Sequence, residues 1–256
     1  MNYTHSLHDV ALGLSLREVR QPRRTPSWDL FVVLDAMRRP PFEPLHSASF
    51  KFLTMKTSFL LPLASGRRRS EIHTLRGAKQ DIPFLKDKSI QLKFLPEFLA
   101  KSQCPGDPSP MVLVRSVAAI LSKDDQDRPI CPVSCLRFYL DRSSGRRLPV
   151  HRRILLPSRN DLARDISAAS VSRWIVSTVA VAYAEAAHSV PLLSRPRAHE
   201  TRAIAASVAF QNATPIVDIL EAVYWKSVIP FIDFYLRDLQ CTRGDGTYGI
   251  SSLVAA

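Results

Sequence analysis

Glycine is scarce in this 256-residue sequence, which has 8 Gly against 19 Pro. The phosphate-binding loops of dinucleotide-binding and P-loop enzymes need several glycines at fixed spacing. Neither G-x-G-x-x-G nor G-x-x-x-x-G-K-[ST] occurs in the sequence. Nucleotide-cofactor chemistry is therefore disfavoured, and we predict no cofactor.

Cysteine is also scarce, with four residues at Cys104, Cys131, Cys135 and Cys241. They form no C-x-x-C pair and lack the dense, even spacing of a disulfide scaffold, which favours a reducing compartment inside the cell. Cys131 and Cys135 lie one helical turn apart, but no second pair completes a metal site. The sequence predicts that these two pack as small hydrophobic residues and that the protein binds no metal.

The sequence has no long hydrophobic run. The longest apolar stretch, around residues 59–64, is far shorter than the roughly 20 residues that a transmembrane helix needs. The N-terminal residues MNYTHSLHDV include no basic segment followed by an apolar core. Membrane insertion and secretion are both disfavoured.

Positive charge is what the sequence has in excess. Its 35 Lys and Arg exceed its 23 Asp and Glu, for a net charge of +12, and 26 of the basic residues are arginine. The planar guanidinium matches two phosphate oxygens at once, so a polyanion, most simply nucleic acid, is the expected partner. The content of 46% hydrophobic residues is typical of a folded protein rather than a disordered basic tail.

Composition along the chain divides it into three parts. Residues 1–25 end in RQPRRTP and predict a flexible basic arm that is too short to fold alone. Residues 26–241 carry regular hydrophobic spacing and predict one domain, whereas residues 242–256 predict a loose tail.

Hydrophobic periodicity predicts a mainly helical α+β domain with a small antiparallel sheet near residues 89–115. Ser27 is the expected cap of the first helix, and Ser65-Gly66 is the expected break after the second. A short strand is expected at 154–157. Two of the predicted helices begin near residues 27 and 131. The others span residues 49–63, 168–187, 199–211, 214–224 and 228–239.

Four separated motifs carry side chains that could take part in catalysis: SGRRRSEI, HETRAIAAS, Tyr224-Trp225 and FYLRD. If the first motif is helical, Arg68 shares a face with Ile72 and Leu75, whereas Arg67 and Arg69 point elsewhere. Arginines can hold the oxygens of a pentavalent phosphorus, tyrosine can attack it, and lysine or histidine can protonate the leaving oxygen. Together these residues predict metal-independent attack on a phosphodiester.

In this order and at these separations, SGRRRSE, HETRA, YWKS and FIDFYLRD resemble the conserved boxes of the tyrosine recombinases, the phage-integrase family. The resemblance covers about residues 28–238. It is closest to the integrase-like recombinases of animal mobile elements, as SWDLFVVLDAMRRPPFEPL, KTSFLLPLASGRRRSEIHTL and CPVSCLRFYLDR suggest. The resemblance implies the catalytic-domain fold of that family and an enzyme that recombines and integrates double-stranded DNA through a 3′-phosphotyrosyl intermediate. It also implies self-association on DNA, a nuclear location and no small-molecule substrate.

The resemblance assigns site residues by position. The lysine that protonates the leaving oxygen is the least defined: Lys101, between the two strands, is assigned, and Lys93 and Lys88 are rivals. The other assigned residues are the first arginine Arg68, the H-x-x-R pair His199 and Arg202, the His/Trp position Trp225 and the nucleophile Tyr235.

Two departures from the family pattern leave other functions open. The family has a helical DNA-clamping domain before the catalytic one, which 25 residues cannot supply, and here Tyr224 and Lys226 flank the tryptophan where small residues are more common. The alternatives are a non-catalytic DNA-binding remnant of a mobile-element recombinase and a basic RNA-binding protein with accidental boxes.

Overall fold

The computed structural model describes residues 25–86, 88–100, 103–107, 109–117, 128–157, 164–186, 195–237 and 239. The predicted arm, except for its last residue, and the predicted tail lie outside these ranges, as does Lys101.

The described part of the chain is mainly helical, as predicted. Strands β1 (Ile90–Lys93) and β2 (Met111–Val114) pair antiparallel, with Ile90 opposite Val114 and Lys93 opposite Met111. The helices are α1 (Leu30–Ala36), α2 (Phe50–Ser65), α3 (Arg69–Ile72), α4 (Pro132–Ser143), α5 (Ala168–Glu185), α6 (Glu200–Gln211), α7 (Ile216–Ala222) and a π-helical turn at Phe231–Tyr235.

Helix α2 lies at the centre of the fold and packs against α4, α5 and α6. Ser49 caps its start by accepting a hydrogen bond from the Phe52 amide, and Gly66 ends it with a left-handed φ of 60°. Every residue from Leu53 to Ser65 is buried, and the helix continues through Pro62. A helix buried on all sides holds a fixed position in the core, so its C-terminal end gives the following arginines a rigid base.

The prediction that Cys131 and Cys135 pack as small hydrophobic residues is confirmed, since both are buried in the core.

Within the described ranges, no helix combines the length and apolar content needed to cross a membrane.

Three local predictions are wrong, each because a residue distant in the sequence forms a hydrogen bond that the local pattern does not show. Asp29, rather than Ser27, caps α1, since the Ser27 hydroxyl bonds the Glu200 carboxylate. Residues 154–157 form no strand, since pairing ends at the isolated antiparallel bridge between Arg76 and Arg153 and the Leu156 amide beyond it bonds a tyrosine hydroxyl.

The third error concerns the last helix. The sequence predicts a helix over residues 228–239, but the π-helical turn ends at Tyr235 and Leu236 is extended. The serine at position 207 bonds the backbone on both sides of Leu236. Tertiary hydrogen bonds therefore replace helical ones at this point.

Candidate active site

A cluster of charged side chains surrounds the buried carboxylate of Glu71, on α3. Its Oε1 lies 2.8 Å from Arg68 Nη1, and its Oε2 lies 3.9 Å from both Arg67 Nη1 and Arg202 Nη1. Three guanidinium groups face one carboxylate, so positive charge is in excess in a poorly solvated place. Such a cluster is suited to bind an anion.

Arg202, on α6, is the most deeply buried cation of this cluster, with 2% of its surface exposed. Its Nη2 donates a hydrogen bond to the Val223 carbonyl at 2.6 Å, whereas Nε and Nη1 have no hydrogen-bond partner among the described residues. Burial, followed by the charge of Arg68, lowers the pKa of Arg202 to about 10, so the group remains charged at neutral pH. Two buried N–H groups of a cation thus lack acceptors, a costly state that a bound anion would relieve.

Two aromatic rings pack against the Arg202 guanidinium. Its Cζ lies 4.8 Å from the centre of the Trp225 ring and 5.6 Å from that of Tyr235, and the two rings are 4.7 Å apart. The Trp225 Nε1 is buried and has no hydrogen-bond partner within the described ranges. Arg202, Trp225 and Tyr235 therefore form one contact group beside Glu71 and Arg68.

Ser207 holds Tyr235 against α6. Its buried hydroxyl accepts a hydrogen bond from the Arg237 amide at 2.8 Å, and it lies 2.8 Å from the Ala203 carbonyl and 3.2 Å from the Tyr235 carbonyl. Ser207 follows Arg202 by five residues on the same helix. The position of the tyrosine backbone is thereby linked to the helix that carries the buried arginine.

The described structure is similar to solved recombinase structures. It matches the crystal structure of XerA recombinase with a TM-score of 0.53 and 15% identity, over 86% of this chain and 62% of that one. It matches XerH site-specific recombinase bound to its difH substrate with a TM-score of 0.54 and 15% identity, over 87% of this chain and 53% of that one. The chain has the tyrosine-recombinase catalytic-domain fold.

At 15% identity this likeness concerns the fold alone. The chain spans about three fifths of the matched XerA chain and about half of the matched XerH chain. No family model matches the sequence, and no curated protein is significantly similar to it.

Within this tyrosine-recombinase fold, the prediction that Arg68 shares a helical face with Ile72 and Leu75 is wrong. Arg68 has extended backbone and precedes α3, which ends at Ile72. Arg67 does not point elsewhere: it is 3% exposed and its Cζ lies 4.3 Å from the centre of the Tyr224 ring. The Arg68 side chain is 33% exposed, so Arg68 remains the arginine of this pair that a ligand from solvent can reach.

His199 stands three residues before Arg202 in the sequence. It directly precedes α6, is exposed, and makes no side-chain cap to the helix. Partial burial, together with Arg197, Arg237 and Arg69, lowers its pKa against the opposing effect of Glu200. These basic surroundings favour the neutral imidazole at pH 7.

The assignment of the lysine stays a prediction. Lys101 lies outside the described residues. Its rivals are both exposed, Lys93 at the end of β1 and Lys88 in the turn before that strand. Among the described residues, no group of His, Cys, Asp and Glu side chains is arranged to hold a metal ion.

The sequence motifs missed two residues of this site, Arg67 and Ser207. Arg67 is missed because helical spacing is assumed from the first arginine of the triplet, whereas α3 begins only at Arg69. Ser207 was the single hydroxyl in the alanine- and valine-rich stretch from Ala203 to Ala209, all of which is buried. A buried serine in an apolar helix face is the signal that could have found it.

Proposed function

We propose that this chain is a tyrosine recombinase that breaks and rejoins double-stranded DNA through a 3′-phosphotyrosyl intermediate. The observation that carries the proposal is the buried Arg202 guanidinium, whose Nε and Nη1 have no hydrogen-bond partner among the described residues and whose Cζ lies 5.6 Å from the centre of the Tyr235 ring. A phosphodiester is the anion that this combination of arginines and a tyrosine would both bind and attack.

In the proposed reaction, the Tyr235 oxygen attacks the scissile phosphorus and the bond from phosphorus to the 5′ oxygen breaks. The 3′ phosphate becomes linked to the tyrosine, and the 5′ oxygen takes a proton and leaves as a hydroxyl. A 5′ hydroxyl from another strand reverses the step. The phosphotyrosyl bond conserves the energy of the broken bond, so the reaction needs no ATP.

The roles of the other residues follow from their placement and from the family resemblance. Arg68 and Arg202 would hold the non-bridging oxygens, where negative charge grows in the transition state. The unpaired indole N–H of Trp225 would donate a third hydrogen bond, and His199 would support the phosphate from the edge. Lys101 would protonate the leaving oxygen, with Lys93 and Lys88 as rivals.

The wider predictions extend this proposal. They are double-stranded DNA as partner, self-association on DNA, a nuclear location and kinship with animal mobile elements. The net charge of +12 supports an extended contact with DNA phosphates, and the excess of arginines around Glu71 supports the binding of a phosphate beside that cluster.

The test is covalent trapping. The substrates are nicked duplexes of randomised sequence, from which the short fragment that carries the new 5′ hydroxyl diffuses away after cleavage. They are incubated with wild type, Tyr235→Phe and Tyr183→Phe. Tyr183→Phe is the control, since the Tyr183 hydroxyl bonds the Asp29 amide outside the cluster. We expect a protein–DNA adduct on denaturing gels from wild type and Tyr183→Phe only. DNA binding without any adduct would instead support the non-catalytic remnant.

A further inference from the structure

A strained turn directly precedes Trp225. Helix α7 ends with two closing hydrogen bonds, from the Tyr224 amide to the Glu221 carbonyl at 3.1 Å and from the Trp225 amide to the Leu220 carbonyl at 2.8 Å. This pattern places Tyr224 in the left-handed region, with φ of 56°. Glycine normally fills that position, because a Cβ atom crowds the backbone there.

The end of α6 repeats the same turn away from the cluster. There the Ala213 amide bonds the Phe210 carbonyl, the Thr214 amide bonds the Ala209 carbonyl, and Ala213 has φ of 58°. Ala213 has only a methyl group and cannot stack on a cation. The described residues therefore include two equivalent strained turns, of which one carries an aromatic ring.

The ring of Tyr224 packs on Arg67. The Arg67 guanidinium carbon lies 4.3 Å from the centre of that ring and 5.9 Å from the centre of the Phe94 ring, within the range of cation–π attraction. Arg67 is almost fully buried at the end of α2, whereas Tyr224 is 40% exposed. The stack thus anchors a half-exposed turn to a rigid, buried side chain.

We propose that the Arg67–Tyr224 stack is a positioning device, which orients the left-handed turn so that Trp225 lies against Arg202 and Tyr235. The inference rests on the proposed function. Trp225 follows Tyr224 directly, and its ring is 4.8 Å from the Arg202 guanidinium and 4.7 Å from the Tyr235 ring. Non-glycine residues kept in a strained conformation are concentrated at functional sites, where the surrounding contacts hold them in place.

Three substitutions separate positioning from stability. Tyr224→Gly removes the ring and relieves the backbone strain, Ala213→Gly relieves the same strain at the matched turn, and Tyr224→Phe keeps the ring. We expect both glycine variants to melt at or above the wild-type temperature. Adduct formation at saturating DNA should fall roughly ten- to hundredfold in Tyr224→Gly alone, and DNA affinity should be unchanged.

A second measurement does not depend on activity. Acrylamide quenching of Trp225 fluorescence, obtained by subtracting the Trp225→Phe signal, should increase in Tyr224→Gly and stay at the wild-type level in Ala213→Gly and Tyr224→Phe. If wild type forms no adduct, the proposed function fails, and quenching still decides whether the stack positions Trp225.

Three results would overturn the positioning role. The first is wild-type adduct formation or wild-type quenching in Tyr224→Gly. The second is a loss of adduct that only parallels a lower melting temperature, since a purely structural ring would behave in that way. The third is a Tyr224→Phe variant that forms adduct as slowly as Tyr224→Gly.

Discussion

Helix α2 and the segment from Val223 to Arg237 differ in how completely they are buried. All residues of α2 from Leu53 to Ser65 are buried, and the helix has a cap at each end. The segment instead exposes Ile229 and 68% of Phe234. Val223, Phe231 and Leu236 attach it to the core. Side chains from the scaffold add further contacts: Arg202 bonds the Val223 carbonyl, Arg67 stacks on Tyr224, and Ser207 bonds the backbone around Leu236. Hydrophobic burial thus builds the scaffold, and a few side chains from that scaffold place the candidate chemistry.

Truncating the scaffold should have the largest effect. Phe59 is fully buried and lies in the middle of α2, where its ring centre is 5.6 Å from that of Trp28. Phe59→Ala should lower the free energy of unfolding by about 3–5 kcal/mol, measured by urea denaturation. The molecules that stay folded should form adduct at the wild-type rate. A loss below about 1 kcal/mol would contradict the central role of α2.

Changing the buried arginine should affect chemistry more than folding. Lysine keeps the charge of Arg202, but its single nitrogen cannot replace the planar guanidinium, whose Nη2 bonds the Val223 carbonyl while Nε and Nη1 stay available for an anion. Arg202→Lys should slow adduct formation about 10²- to 10³-fold, while DNA binding in a gel-shift assay is retained. Arg39→Lys is the control, since Arg39 is exposed and pairs with Asp35, and it should match wild type.

The smallest effect is expected from a single hydroxyl. Ser207→Ala leaves the Arg237 amide without its acceptor and should cost about 1–3 kcal/mol, together with a drop in adduct formation. Ser143→Ala removes an equally buried serine of α4, whose hydroxyl bonds the Leu140 carbonyl. It should leave adduct formation unchanged. Equal activities of the two variants would show that Ser207 does not position Tyr235.

The same contrast explains what could be predicted from sequence. Local pattern is sufficient for α2, since Ser49, the apolar stripe and Gly66 mark its start, face and end. It fails for the π-helical turn, because the bonds that end it come from Ser207, some 30 residues away. It also fails for Arg67, whose burial depends on a tyrosine ring of another segment.

The candidate site was predictable in part for a similar reason. Arg202, Trp225 and Tyr235, which the resemblance assigns to one site, lie in contact with one another, and their catalytic roles stay a prediction. Spacing along one helix could not place Arg68, because the backbone at Arg68 is extended and α3 begins only after it. The position of Lys101 relative to this cluster stays a prediction.

The most direct test of the central claim is to identify the amino acid that becomes linked to DNA. The trapped adduct is digested with nuclease and protease, and the peptide that keeps a nucleotide is sequenced by mass spectrometry. Our account predicts a 3′-phosphotyrosyl link at Tyr235. A link at Tyr224, or a trapped species with no phosphotyrosine, would contradict it.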